Sequence, residues 1–351
     1  MPALLLLAIG GLTPPRVAVV TGASRGIGRG IALELGRAGY TVYALGRSSR
    51  SSGAADGDLT VEATADAVRE NGGVGVPYPC EITRAGSLDA AIEAVRRDAG
   101  RLDVLVCSAY TTPPGALRDD FWKQGVEMWD ACNEVGLRAV YATCVAAAPL
   151  MIETARADSA RGKAAPPLIA LVSSFGGQAY TFNVAYGVGK AAVDRLARDM
   201  SVQLTKVGVA TTSLYPGIVK TERNLQLEAE GRWAEASGGL DLAQGETPAF
   251  SGKALLALRS LDAEAMMARS GNVEVVAELA REFDFTEEDG SRPASIRSLK
   301  YLLPNFVFPQ ELLSESGKPL PEWMRANVPD FLLPWSIFAS GPPPEKPAAT
   351  K

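Results

Sequence analysis

The chain has 351 residues, and its 35 lysines and arginines against 40 aspartates and glutamates leave a net charge of −5, which excludes the basic face that a nucleic-acid partner needs. Histidine is absent, which excludes Ser-His-Asp and Cys-His catalysis and His-ligated zinc and leaves Tyr, Lys, Asp, Glu and Cys as acid–base groups. The four cysteines, Cys80, Cys107, Cys132 and Cys144, form no C-x-x-C pair, so the expectation is free buried thiols in a reducing compartment, with no metal and no disulfide framework.

An N-terminal extension, residues 1–14, opens the chain. Its apolar run at 3–9 is too short to span a bilayer and lacks a basic flank, and no other stretch approaches transmembrane length. A strand is expected at 16–21, followed by a glycine-rich turn and a helix at 28–38. A strand at 41–45 and a Ser/Gly-rich loop at 48–57 come next. A helix at 59–71 is closed by Gly72 and Gly73. The third strand, 74–80, is made irregular by Pro77 and Pro79. A helix at 87–98, a strand at 103–107 and a Thr/Pro/Gly loop at 110–115 lead into a long helical stretch, 126–154. After a solvent loop at 155–167 come a strand at 168–172 and a helix at 185–206, in which Val193, Leu196, Met200 and Leu204 recur at helical spacing. A strand at 209–214, a helical lid at 221–245, a helix at 249–258 and a strand at 272–276 complete the series. Strands alternating with helices predict an α/β fold, a Rossmann-type doubly wound parallel sheet of about seven strands with helices on both faces. This domain spans 15–300. The tail, 301–351, is proline-rich, with apolar clusters at 301–308 and 331–338 that could pack on the domain, meet a partner subunit or lie on a membrane surface; 341–351 reads as disordered.

The loop Gly22-Ala23-Ser24-Arg25-Gly26-Ile27-Gly28 joins the first strand to the first helix with the spacing G-x-x-x-G-x-G. Glycines there let backbone approach a pyrophosphate, and the helix start offers free N–H groups and positive dipole. The plain alternative is a tight turn without a ligand. The second strand ends at Gly46-Arg47, with no acid to bind a ribose 2′-hydroxyl. Arg25 and Arg47 instead suit the 2′-phosphate of NADP(H), so NAD(H) is the less favoured cofactor.

Tyr186 and Lys190 stand at i and i+4 of one helix. An ammonium beside a phenol favours the phenolate, which predicts a lowered Tyr186 pKa and a group able to exchange a proton with a carbonyl oxygen. Ser173 ends the fifth strand thirteen residues earlier, where its hydroxyl can bond the same substrate oxygen. Tyr110, Phe175, Tyr180 and Phe182 are candidate walls of an apolar substrate pocket, or else ordinary core.

These motifs, in this order, resemble the short-chain dehydrogenase/reductase family: the glycine loop 21–28, Asp103-Val104-Leu105-Val106, the serine pair 173–174 before Tyr186-x-x-x-Lys190, and Pro216-Gly217-Ile218-Val219-Lys220-Thr221. The likeness covers residues 15–280. Stretches 121–122, 128–130, 135–138 and 182–190 further resemble one subgroup, the dehydrogenase/reductase member-one type of carbonyl reductase. The resemblance implies Tyr186 as general acid/base, Lys190 as its pKa-lowering partner and ribose ligand, and Ser173 as the residue that orients the carbonyl. It implies that Pro216, Gly217, Ile218 and Thr221 hold the nicotinamide carboxamide and that Glu81 and Ile82 border the adenine. It also implies homo-oligomers through the two long helices. The family's N-N-A-G is replaced by Cys107-Ser108-Ala109-Tyr110, in which Ser108 keeps one hydrogen-bonding group, and the position of its catalytic asparagine is Gly136.

The function expected is reduction of a hydrophobic ketone or aldehyde, steroid- or xenobiotic-like, by hydride transfer from NADPH. The rival is an NADP-binding regulatory or scaffold protein with little catalysis, motivated by Gly136 and Cys107. The expected location is the cytoplasmic side, with the tail as a peripheral contact at the endoplasmic reticulum membrane.

Overall fold

Seven parallel strands form one sheet in the order β3-β2-β1-β4-β5-β6-β7. The structure is a computed structural model and describes residues 15–52, 58–111, 119–162, 165–304, 323 and 327–338. The extension 1–14, residues 53–57 of the loop at 48–57, residues 112–118, which include the end of the loop at 110–115, and most of the tail, including 341–351, lie outside the described residues. The strands are β1 (Val17–Thr21), β2 (Thr41–Gly46), β3 (Val74–Pro79), β4 (Val104–Cys107), β5 (Leu168–Val172), β6 (Ala210–Tyr215) and β7 (Val273–Val275). Successive side chains on a strand point to opposite faces, and the core divides accordingly. Val17, Val19, Leu105, Cys107, Ile169 and Leu171 pack on one side against α3 (Ser87–Ala99), α5 (Ala139–Ala160) and α6 (Val184–Leu204). Ala18, Val20, Val104, Val106, Leu168 and Ala170 pack on the other, against α1 (Gly26–Arg37), α2 (Val61–Glu70) and the C-terminal helices α9 (Pro248–Arg259) and α11 (Val276–Glu282). Both faces are covered, which is why the strands read as unbroken apolar runs.

Pro77 and Pro79 are tolerated because β3 is an edge strand. Strand order reverses between β1 and β4, so the carboxyl ends of β1, β4 and β5 open a crevice at a topological switch point.

The long helical stretch starts earlier than expected and is not uniform. α4 (Phe121–Asn133) passes into a π-helical turn at Glu134–Arg138 and then into α5. The run Phe121–Ala160 has a stretch of mean hydropathy 1.6, long and apolar enough by composition to cross a membrane. This corrects the expectation that no internal stretch comes close. The run is nevertheless a layer of this domain, with Val140, Cys144, Ala147, Leu150 and Met151 buried on the sheet. The expected lid resolves into α7 (Glu222–Ala229) and α8 (Trp233–Ser237), and α10 (Ala263–Ala268) precedes β7. All four cysteines are free and buried.

Residues 327–338 pack on the domain. Leu332 bridges Ser298, and Trp335 lies against Phe175, Tyr215 and the Arg297 guanidinium.

A buried ionic network ties the start of the central strands together. Arg101, 12% exposed, pairs with Asp103 (2.5 Å) and Asp158 (2.8 Å), and Asp103 also accepts the Val17 N–H at 2.7 Å. Arg101→Leu leaves two buried carboxylates without a countercharge and is expected to cost about 3–5 kcal/mol. Urea unfolding at pH 7 checks this, and a loss below about 1 kcal/mol would refute the network's role.

Candidate active site

The glycine loop forms a cradle at the crevice. Gly22 has φ +68°, a left-handed conformation that favours glycine. A Cβ on Gly28 would stand 2.3 Å from the Gly22 carbonyl oxygen, so the loop closes on itself without room for side chains. Thr21 Oγ1 accepts the N–H of Ser108 (3.2 Å) and Ala109 (3.4 Å), fastening the end of β4 to the loop. The first helical N–H, that of Gly26, donates to the Glu222 carboxylate at 2.8 Å. That carboxylate stands in for an anionic oxygen, and it shows that this helix start takes negative charge, as a pyrophosphate would require. The residues present therefore fit a dinucleotide.

Arg25 is exposed and reaches Ser48 Oγ (3.3 Å), just beyond the end of β2. Arg47 faces Glu81 at 3.6 Å, and Glu81 also accepts from Thr83. Ser24 and Ile82 are buried beside the loop and after β3, whereas Ile27 is half-buried in α1. After β6, Pro216, Gly217 and Ile218 lead to Thr221, whose side chain caps α7, and Ile218 O accepts the Glu246 N–H at 2.7 Å.

The candidate catalytic residues sit where β5 meets α6. Asn183 caps α6 through the Tyr186 N–H at 2.8 Å, which fixes the turn that carries the tyrosine. The Tyr186 hydroxyl is 2.7 Å from Ser174 Oγ. The expectation that Ser173 shares this oxygen is corrected: its hydroxyl donates to the Lys190 carbonyl (3.3 Å) and faces Asp194. Successive residues leaving a strand point opposite ways, so only one of the pair can face the tyrosine.

Lys190 is 8% exposed and donates through Nζ to Val172 O at 3.2 Å. Burial pushes its pKa down to about 8, against the opposing pull of Asp194 and Cys132. Burial pushes Tyr186 up to about 12, with the Ser174 hydrogen bond acting downward. The expected lowering of Tyr186 is thus corrected: desolvation dominates and raises it instead.

The aromatic candidates separate. The rings of Tyr110 and Phe182 meet Tyr186 edge to face at centroid distances of 5.9 and 5.3 Å. Tyr180 is largely exposed, and its hydroxyl reaches the Phe182 carbonyl at 3.5 Å. Phe175 joins Trp335 and Phe338 of the tail, at 6.4 and 5.0 Å. Beside Tyr186 a crevice of about 160 Å³ is lined by Tyr110, Cys132, Asn133, Gly136, Gly189 and Lys190. It is smaller than a usual ligand pocket of about 300 Å³ or more and belongs to the packing behind the tyrosine.

Sequence reasoning missed Ser174, Asn183, Asp194, Glu222 and Glu246. Asn183 was legible as a helix cap. Asp194 accepts Ser213 Oγ (2.6 Å) and the Tyr215 hydroxyl under Lys190, and no local pattern marks it. Glu246 is 1% exposed behind Gly217, its Oε2 has no hydrogen-bond partner among the described residues, and burial pushes its pKa up to about 8.

Comparison with known proteins gives the class. The model of the family described as short chain dehydrogenase matches residues 16–231, and the chain belongs to this family of oxidoreductases, which work with a nicotinamide cofactor. Over 325 residues it is 37% identical to dehydrogenase/reductase SDR family member 1 of Mus musculus and 36% identical to that of Homo sapiens, covering 90% of this chain and 93% of each relative. A short-chain type dehydrogenase/reductase from Mycobacterium marinum shares the fold, with a TM-score of 0.59 and 24% identity over 75% of this chain and 94% of that one.

Two outcomes follow from these carboxylates. Glu222→Gln removes a like charge from the candidate pyrophosphate seat and is expected to tighten binding of the nicotinamide dinucleotide roughly fivefold, about 1 kcal/mol, by calorimetric titration; weaker binding would make Glu222 a cofactor ligand. Glu246 keeps its proton in the fold up to about 8, well above its ordinary 4.5, so stability falls as pH rises between those values. Urea midpoints should show Glu246→Gln gaining on the parent chain across that window, and a gap that does not change with pH refutes the assignment.

Proposed function

We propose that the protein reduces the carbonyl group of a hydrophobic ketone or aldehyde with NADPH. The observation that carries this reading is the 2.7 Å contact of Tyr186 with Ser174, beside a buried Lys190, at the sheet's switch point. When bound, the reduced nicotinamide supplies the hydride. Gly22, Gly26 and Gly28 with the start of α1 would hold the pyrophosphate, Arg25 and Arg47 the 2′-phosphate, and Pro216, Gly217, Ile218 and Thr221 the carboxamide. Glu81, Ile82 and Ser108 would flank the adenine and the strand ends.

Ser174 and Tyr186 present two hydroxyls to one substrate oxygen. Tyr186 carries its proton at neutral pH, since burial holds its pKa near 12, so it is set to donate to the alkoxide that forms as the carbonyl is reduced. Lys190 supplies positive charge next to the phenol and stabilises the phenolate left behind. The reverse direction needs the phenolate and should quicken as pH rises. Tyr110 and Phe182 give the site an apolar wall that favours a carbonyl carried on a hydrophobic body.

The test is NADPH oxidation by the purified chain against a panel of hydrophobic ketones, with NADH alongside. Turnover is expected to prefer NADPH. Tyr186→Phe should abolish it, by about 10²-fold or more, while leaving NADPH binding intact, and Ser174→Ala should lower kcat more than Ser173→Ala. Tight NADPH binding with no turnover of any ketone would replace the reductase by a cofactor-binding regulatory protein.

A further inference from the structure

Tyr110 makes three contacts that together amount to more than a pocket wall. Its ring face lies under the Lys190 ammonium, 4.8 Å from Nζ to the ring centroid, closer than the 5.8 Å to the Tyr186 ring. Its edge meets the Tyr186 ring at 5.9 Å. Its hydroxyl faces the Cys132 thiol of α4. The ring reaches this place because residue 136, in the π-helical turn, has no side chain. A Cβ there would stand 2.8 Å from Tyr110 Cε2 and 2.9 Å from Cδ2.

We propose that Tyr110 is a positioning residue whose ring face seats the Lys190 ammonium and keeps it charged beside Tyr186, and that Gly136 is the gap that admits the ring. An ammonium this deeply buried loses hydration. It recovers part of that loss from Val172 O at 3.2 Å and from the ring quadrupole. The groups facing Lys190 are few. α6 contributes Tyr186 and Asp194, α4 contributes Cys132, the segment after β4 contributes Tyr110, and β5 contributes the Val172 carbonyl. Asp194 is already engaged by Ser213 and Tyr215, which leaves the Val172 carbonyl and the ring as close neutral partners of the charge.

This inference rests on the reading of Tyr186 as proton donor, so its test has one arm that needs no turnover. In the full chain, Tyr110→Leu removes the ring, Tyr110→Phe keeps it without the hydroxyl, and Gly136→Ala pushes it aside. The first arm is the pH profile of NADPH-dependent ketone reduction. Tyr110→Leu should move its alkaline limb down by roughly one pH unit, the size of a desolvated cation–π contact, and Gly136→Ala should move it the same way. Tyr110→Phe should leave it in place. The double variant Tyr110→Leu with Gly136→Ala should match Tyr110→Leu alone, because both changes break one contact.

The second arm is urea unfolding from pH 6 to 10, each variant compared with the same chain carrying Lys190→Met. Lys190 loses its proton in the fold near 8 and in the unfolded chain near the ordinary 10.5. Stability attributable to Lys190 therefore rises with pH between those values. Tyr110→Leu should start that rise roughly one unit lower. An unmoved onset in Tyr110→Leu and Gly136→Ala, or an equal shift in Tyr110→Phe, overturns the proposal. If the parent chain binds NADPH but reduces nothing, the reductase reading fails and the unfolding arm still decides the role of Tyr110.

Discussion

One amine sits where almost no water reaches it, and the end of the sheet that carries Tyr186 packs polar and aromatic groups around it. Lys190 gets a carbonyl from the end of β5, a carboxylate from the next turn of its own helix, and two aromatic faces. They come from β5, from α6 itself and from the segment after β4. β5 must therefore end at Val172, α6 must begin at its asparagine cap, and the turn after α4 must present a residue with no side chain at 136. The π-helical turn at Glu134–Arg138 lies at that meeting point, where an irregular backbone turn commonly marks a functional site. Tyr186 inherits its position from the same constraint, since it is one helical turn from the lysine.

The cofactor end obeys a second constraint, the unpaired backbone N–H groups that a helix start leaves. In α1, Glu222 at the head of α7 occupies the first of them. One carboxylate thus links the segment after β6 to the glycine loop across the crevice. Glu246 lies at the other end of that segment, held by the Val219–Glu246 bridge. Two acids of opposite character bracket it, one paired with a helix dipole and the other kept protonated by burial.

The tail adds a third layer to this end of the sheet. Trp335 and Phe338 close over Phe175, the residue after Ser174, and Arg297 anchors Trp335 while pairing with Glu278. The aromatic side chain next to Ser174 is thereby tied to a segment 160 residues further along the chain. Tyr110 and Phe182 are left as the aromatic neighbours of Tyr186.

The sequence alone determined the strand and helix order, because buried parallel strands and amphipathic helices carry their period in local composition. It determined the glycine loop and the pairing of Tyr186 with Lys190, since both lie within one turn of chain. Tertiary structure decided what depends on segments far apart. Choosing Ser174 over Ser173 required the direction in which β5 ends relative to α6. The raised Tyr186 and lowered Lys190 required the depth of burial, which no spacing encodes. The fit of the Tyr110 ring against Gly136 joins the end of β4 to the turn between α4 and α5. Glu222 on the Gly26 N–H spans 196 positions. Short-range periodicity is written in the chain, whereas desolvation and steric fit exist only once distant segments share a volume.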